Sequence, residues 1–369
     1  MKALALCTIG LEKVVANEIK RMGYKVIDSK SGMIFFETDL EGIYKVNISS
    51  RVVERLMIVL KEFRAYDFDD LYNEIFSIDW KKYLYKDTNI TIDKMSSKYS
   101  RLYGLSAMQS VAQKAIYESL KKSYNLDDWT EKKYNINVRV YTYKDKVTVA
   151  LDTSGEPLHK RGYRKLISDA PIKETLAAGL IILSGWKRKY PLYDPFCGSG
   201  TIPIEALMYA MDYAPGLKRK FGINNLKIHN KELFEKTREF YKNKIRTDID
   251  VNIIGSDIDP EIIRVAKTNL NELNLEKHIT FTTKDFTKIE NELENGFIIT
   301  NPPYGERLNT NDEIDILYKK MKKLKVIFPN WKYNFITTYS NFDKYFEMKS
   351  NKRKKIQNGK LETYFYMYG

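Results

Sequence analysis

The segment "YPLYDPFCGSGTIPIEALMYAM" constrains the fold of this chain more than any other. A short apolar strand, "YPLYDPF", runs into "CGSG" and then directly into a helix, "TIPIEALMYAM". A helix that follows a strand this closely must cross over before the next strand, which favours parallel pairing. The same alternation holds throughout residues 171–369. It runs through a helix at 172–184, strand "VNIIGSD", a helix at 260–273, strands "ITFTTKD" and "GFIITNPP", a helix at 313–327 and strand "YNFITTYS". The spacing predicts a parallel α/β sheet, interrupted by a long insertion at 212–250. The closing run "RKKIQNGKLETYFYMY" places Asn358-Gly359 between two alternating segments, which predicts a type I′ hairpin and an antiparallel edge.

Upstream, the βαββαβ alternation over 1–64 predicts a ferredoxin-like half-sandwich. Residues 65–153 read as a second α+β unit. It has short helices at 68–76 and 79–85, strand "NITIDKM", an amphipathic helix over 105–123 and a hairpin turned at Lys144-Asp145. Residues 154–170 carry clustered positive charge and read as a linker into the third domain.

The 369 residues include 62 Lys and Arg against 48 Asp and Glu, a net charge of +14 that suits a polyanionic partner such as nucleic acid. Abundant Lys, Asn, Ile and Tyr also fit an AT-rich coding bias, so charge alone does not assign the partner. Two distant cysteines and 3 His provide no metal-ligand spacing, and no metal is expected. Sparse cysteine suits a reducing compartment. The first residues read as strand and helix, not as a signal peptide, and no segment approaches the roughly 20 apolar residues that span a bilayer. A cytoplasmic location is expected.

In "DPFCGSGT" the glycines Gly198 and Gly200 let the backbone turn and approach a ligand, and the following helix offers free N–H groups. No Lys follows, so the loop is not a P-loop, and Pro203 stands where a dinucleotide fingerprint has its third glycine. The preceding acid, Asp194, repels a pyrophosphate but suits an ammonium group, as in the methionine moiety of S-adenosylmethionine. The next strand ends in "IIGSDID", where Asp257, or alternatively Asp259, can hold two ribose hydroxyls. The third ends in "TTKDF", where Asp285 can accept from an adenine amine beside Phe286. Any one of these acids could be an ordinary helix cap. Three at successive strand ends point to a nucleoside cofactor.

The fourth strand ends in "TNPPY" at the same sheet edge. Two prolines stiffen the backbone and leave carbonyls free to face a pocket. The Asn301 side-chain oxygen and the Pro302 carbonyl then make two acceptors for one planar NH₂ group, and Tyr304 offers a stacking face. Gripping both amine hydrogens turns the nitrogen lone pair outward, so orientation replaces a general base.

On these motifs the C-terminal half resembles the class I S-adenosylmethionine-dependent methyltransferases that act on exocyclic amines. Nearly the whole chain is similar to the THUMP-domain RNA methyltransferases of RlmL type, the N-terminal enzyme of a 23S rRNA guanine-N2 methyltransferase. The likeness rests on "HKRGYR", "APIKETLAAGLI", "DPFCGSGTIPIEAL", "APGLKRKF", "TNPPYGERL" and "NGKLETYFYMY". It implies a Rossmann-like seven-stranded sheet with an antiparallel terminal hairpin behind ferredoxin-like and RNA-binding THUMP domains. It also implies S-adenosylmethionine as cofactor and RNA as partner, rRNA before tRNA, in a monomer. The implied cofactor contacts are Asp194, Phe196, Cys197, Gly198, Ser199, Gly200, Thr201, Asp257, Ile258, Asp285, Phe286 and Asn301. The implied catalytic turn is Asn301, Pro302, Pro303 and Tyr304. Expected RNA contacts are Lys160, Arg161, Arg164 and Lys165 in the linker, Lys218, Arg219 and Lys220 in the insertion, Arg307 beside the turn, and Lys352 to Lys355, Lys354 among them, with Tyr163 as a stacking face. DNA-adenine and protein-glutamine methyltransferases also use "NPPY", but neither calls for a basic two-part N-terminal module.

Overall fold

The computed structural model describes residues 1–125, 132–165, 171–304 and 311–369. The first half runs β1 (Lys2–Leu6), α1 (Glu12–Arg21), β2 (Val26–Lys30), β3 (Met33–Glu37), α2 (Leu40–Ser49), β4 (Arg55–Arg64), α3 (Phe68–Phe76), β5 (Thr88–Lys98), α4 (Leu105–Tyr124), β6 (Tyr134–Tyr143) and β7 (Lys146–Asp152). The expected boundary near residue 64 does not divide two sheets. All seven strands form one sheet of order β2-β3-β1-β4-β7-β6-β5. The reason is the length of β4. Its first residues, Arg55 to Ile58, pair with β1 (Ala3↔Ile58), while Met57 to Arg64 pair with β7, from Met57↔Asp152 to Arg64↔Lys146. The β6–β7 hairpin turns at Lys144 and Asp145, both at positive φ (50° and 60°), as a two-residue type I′ loop requires.

The second half runs α5 (Glu174–Leu183), β8 (Leu192–Asp194), α6 (Thr201–Ala210), α7 (Lys231–Lys242), β9 (Ile253–Asp257), α8 (Pro260–Asn271), β10 (Ile279–Thr283), β11 (Phe297–Thr300), α9 (Asn311–Met321), α10 (Lys323–Ile327), β12 (Lys332–Thr337), α11 (Phe342–Phe346), β13 (Lys352–Asn358) and β14 (Leu361–Tyr368). Its sheet has the order β10-β9-β8-β11-β12-β14-β13, with β8 to β12 parallel and β14 antiparallel to both neighbours. The winding direction reverses between β8 and β11. In open α/β sheets the crevice beyond the strand ends at such a point is where ligands bind. The terminal hairpin is present, but its loop lies one residue later than the Asn-Gly signal suggests. Asn358 pairs with Leu361, so Gly359 and Lys360 form the loop, and of these only Gly359 has positive φ (61°). This is a II′ turn, in which the first loop residue must be the glycine.

Two segments join the halves. Residues 154–165 are not a free tether: Ser154, Leu158, Arg161 and Tyr163 are buried. The insertion folds back on the N-terminal half through Gly216 N to Ile48 O (2.8 Å), Lys227 N to Tyr83 O (2.9 Å) and Asn230 N to the Tyr44 hydroxyl (2.8 Å). It also contains α7, a helix the sequence reading left out. Asn230 caps it through Leu233 N, and it buries Phe234 and Thr237. Among the described residues no helix is long and apolar enough to cross a membrane.

Candidate active site

The glycine loop is shaped by close packing on one side and open space on the other. Gly200 has φ of 81°, and a Cβ there would lie 2.8 Å from the Phe281 ring and 3.1 Å from Ala266 Cβ. A Cβ on Gly255 of β9 would likewise lie 2.7 Å from the same ring. Gly198, at φ of 51°, has no atom within 4 Å of the Cβ position. The backbone there borders a space that a ligand could fill. Cys197 N donates to Ser256 O at 2.9 Å, which ties the loop to β9, and burial pushes the Cys197 thiol up. Ser199 is buried, and its carbonyl accepts from Asn269 Nδ2 at 3.2 Å. Gly200 provides no side-chain cap for α6, so Thr201 opens a helix whose first N–H groups are not capped by it. Pro203 sits within that first turn, where a missing N–H is tolerated.

The acids stand at strand ends, as expected, but in different states. Asp194 is buried at the end of β8 and accepts from Thr300 Oγ1 and from Phe196 N (3.1 Å). Burial pushes its carboxyl up to about 7, the two donors pull it down, and nearby Asp257 raises it further. Asp257 ends β9 and accepts from Gly198 N (3.0 Å) through Oδ2 and from Asp259 N (3.2 Å) through Oδ1. Each of its oxygens keeps a second lone pair for a ligand hydroxyl. Asp259 caps α8 through Glu261 N (2.8 Å). Asp285 accepts from Thr287 N and Thr287 Oγ1, both at 2.9 Å and both through Oδ1, and the first of these holds its carboxyl below the usual range. The cap role therefore belongs to Asp259, and for Asp285 it coexists with a position at the site rim. Phe286 is buried and packs on Phe196 with ring centroids 4.9 Å apart. Ile258 is 72% exposed, an apolar side chain left uncovered directly after Asp257.

The turn after β11 is held from three sides. Thr300 donates to Asp194, the Pro303 carbonyl accepts from the Tyr318 hydroxyl (3.2 Å), and the Tyr304 hydroxyl accepts from Asn358 Nδ2 (2.9 Å). Tyr318 is itself fixed by Thr337 Oγ1 at 2.7 Å. Asn301 is 8% exposed, and its Oδ1 has no hydrogen-bond partner among the described residues. A buried amide oxygen without a partner forgoes about 1–3 kcal/mol, so Asn301 Oδ1 is available to accept from a ligand donor. The unpartnered Asn301 oxygen, the open side of Gly198, the uncovered Ile258 and the paired acids Asp194 and Asp257 all fit an amino-acid–nucleoside cofactor next to an amine. Thr300 and Tyr318 were not singled out in the sequence, and Asn358 was read only as a turn residue. Thr300 stands next to the motif and could have been. Tyr318 comes from a distant element and carries no local signal, and nothing local to Asn358 points to Tyr304.

The basic residues separate sharply. Arg161 is buried and donates to Leu158 O (2.7 Å), to Arg51 O and to Glu205 (3.4 Å). Tyr163 is buried and donates to the same carboxylate at 3.2 Å. Arg219 is buried against the carbonyls of Pro157 (2.9 Å) and Glu156 (2.8 Å), and burial lowers its guanidinium to about 10. These three are corrections to the expected RNA contacts: their donors are consumed in the seam between the halves. Arg164 is half-buried, bonded to Thr201 Oγ1 (2.7 Å) and Ile172 O (3.0 Å), with Glu174 at 3.5 Å. It braces the glycine-loop helix. Lys160, Lys165, Lys218, Lys220, Lys352 and Lys355 are exposed, and Lys354 is partly so. Arg307 lies outside the described residues.

The profile of a family described as "RMKL-like, methyltransferase domain" matches residues 161–366, and that of the "RlmL ferredoxin-like domain" matches residues 2–57. YpsC of Bacillus subtilis (strain 168) is 36% identical over 99% of this chain and 95% of its own length. The ribosomal RNA large subunit methyltransferase K/L of Buchnera aphidicola subsp. Schizaphis graminum is 31% identical over 97% of this chain, which spans 52% of that protein. The structure of SMU.472 complexed with SAH superposes with a TM-score of 0.93 at 32% identity, covering 100% of this chain and 97% of that one. With both sheets, the site edge and these matches in agreement, the chain belongs to the RMKL-like methyltransferase family, built on a class I methyltransferase fold.

Proposed function

We propose that this enzyme transfers a methyl group from S-adenosylmethionine to the exocyclic N2 amine of a guanine in RNA, with large-subunit ribosomal RNA as the substrate. The observation that carries the reading is the buried, unpartnered Oδ1 of Asn301, placed at the strand end next to the Asp194–Thr300 pair. When bound, S-adenosylmethionine supplies an electrophilic methyl group on a sulfonium. Asp194 faces its ammonium, Asp257 its ribose hydroxyls, and Ile258, Phe286 and Asp285 its adenine. Asn301 Oδ1 accepts one amine hydrogen of the guanine and the Pro302 carbonyl accepts the other. Formation of the nitrogen–methyl bond with cleavage of the sulfur–methyl bond would leave S-adenosylhomocysteine, and the cationic nitrogen would then release its proton to water, so no side chain has to act as a strong base. Tyr304 gives the base a wall to stack on.

The ribosomal RNA relatives support the substrate class, and half of their length corresponds to this chain. The N-terminal sheet, with residues 65–153 read as a THUMP domain, would hold the RNA. The test is tritiated methyl transfer to total RNA from a strain lacking the enzyme, followed by nucleoside mass spectrometry and size separation. N2-methylguanosine in the large ribosomal RNA is the expected product. The same nucleoside in tRNA would move the substrate and keep the chemistry. N6-methyladenine, or label in protein alone, would overturn the reading.

A further inference from the structure

We infer that Asn358 is a positioning residue for the catalytic turn, binding the Tyr304 hydroxyl from the tip of a hairpin that the loop between β1 and α1 holds in place. The inference deepens the proposed function and rests on it for its kinetic readout. The side chain is not explained by the turn in which it sits. Asn358 is a regular strand residue paired with Leu361, and the positive φ of the loop is taken by Gly359. Its amide instead reaches out of the hairpin to Tyr304, 54 positions earlier, at 2.9 Å.

The hairpin tip is immobilised from the opposite side. Gln357 N donates to Ile9 O at 3.0 Å, and Gln357 Nε2 closes the loop onto Gly359 O at 3.1 Å. Gly10, at φ of 101°, lies so close that a Cβ would come within 2.5 Å of the Lys355 carbonyl. Backbone of the first unit therefore seats directly on β13, and the residue next to that seat grips the turn that carries Asn301. Tyr318 fixes the turn through a backbone carbonyl, whereas Asn358 fixes the aromatic side chain that faces the base. Losing that grip removes one of the contacts that set the ring's position, and misplacement near 1 Å at a reacting centre lowers rates by up to about 100-fold.

The test is a double-mutant cycle on the full chain. Asn358→Ala and Tyr304→Phe should each lower kcat about tenfold, leave KM for S-adenosylmethionine within about twofold, and in combination be no slower than the slower single variant. Asn358→Asp, whose carboxylate can accept the Tyr304 proton, should recover most of the rate. Wild-type turnover in Asn358→Ala, multiplied losses in the double variant, or an Asp variant as slow as the Ala one would each overturn the inference. A second readout needs no substrate: amide exchange at Asn301 and Tyr304 in the free protein should speed up in Asn358→Ala and return in Asn358→Asp. If the wild type makes no N2-methylguanosine, the proposed function falls while exchange still decides the positioning role, and unchanged exchange would overturn it.

Discussion

The Thr300 hydroxyl donates to the buried carboxyl of Asp194, joining the residue before the catalytic turn to the acid before the glycine loop, 106 positions earlier. Their strands are adjacent and parallel at the point where the sheet reverses direction, with Phe297 opposite Leu192 and Ile298 opposite Tyr193. One hydrogen bond thus ties together the ends of the two strands that flank the crevice.

With Asp194 facing the cofactor ammonium, as proposed, cofactor binding should depend on pH. Its carboxyl lies at about 7 in the fold against an ordinary 3.8, so between those values the folded protein holds a proton that the unfolded chain releases. Its contribution to stability therefore declines as pH rises from about 4 through 7, and Asp194→Asn should lose this decline in melting curves between pH 5 and 8. A bound ammonium favours the ionised form, so binding below pH 7 expels the proton. The Kd for S-adenosylmethionine, measured by calorimetry, should fall up to about tenfold per pH unit below 7 and flatten above it. Asp194→Asn should bind weakly and without that slope.

Asn301→Ala should remove turnover while sparing the cofactor. Removing a donor or acceptor that acts on the reacting group typically lowers kcat by about 10²–10³. The Kd for S-adenosylmethionine should stay within about twofold, since in the proposed reading Asn301 holds the acceptor amine. Stability should not fall, because the deleted oxygen had no partner among the described residues. Single-turnover kinetics beside equilibrium binding distinguish this outcome from loss of fold.

Gly200→Ala introduces two faults at one atom, a left-handed backbone and a Cβ at 2.8 Å from Phe281. Together these should destabilise the fold by about 1–3 kcal/mol in urea unfolding. Adding Phe281→Leu should recover only the steric part. Gly198→Ala meets no atom within 4 Å, so it should melt closer to the wild type and act on cofactor affinity instead.

Seam cations and surface cations should separate in two measurements. Arg161→Ala strands the buried Glu205 carboxylate and should lower stability by about 3–5 kcal/mol, visible as a fall in melting temperature. Conversely, Lys160→Ala, Lys218→Ala and Lys354→Ala should leave melting nearly unchanged. Any of them that touches phosphate should reduce the slope of log affinity against log salt for RNA by about 1.

The sequence by itself determined the local devices of this protein. The strand–glycine–helix alternation of residues 171–369 required a parallel sheet, and "DPFCGSGT", "IIGSD", "TTKDF" and "TNPPY" all end strands, so one edge had to collect them. These are short-range facts of backbone conformation and side-chain period, legible without partners. Tertiary structure decided everything that depends on what a side chain meets across the fold. Arg161, Tyr163 and Arg219 read like RNA contacts because charge is visible in a sequence, whereas Glu205 and the carbonyls that consume those donors are brought beside them only by folding. Asn358 read like a turn former, and its amide instead serves Tyr304. β4 read as the end of one unit, yet its length made it the strand on which both units pair. Burial is the physical reason in each case: it turns a surface charge or a local turn signal into an obligation to find a partner, and only the packed structure identifies that partner.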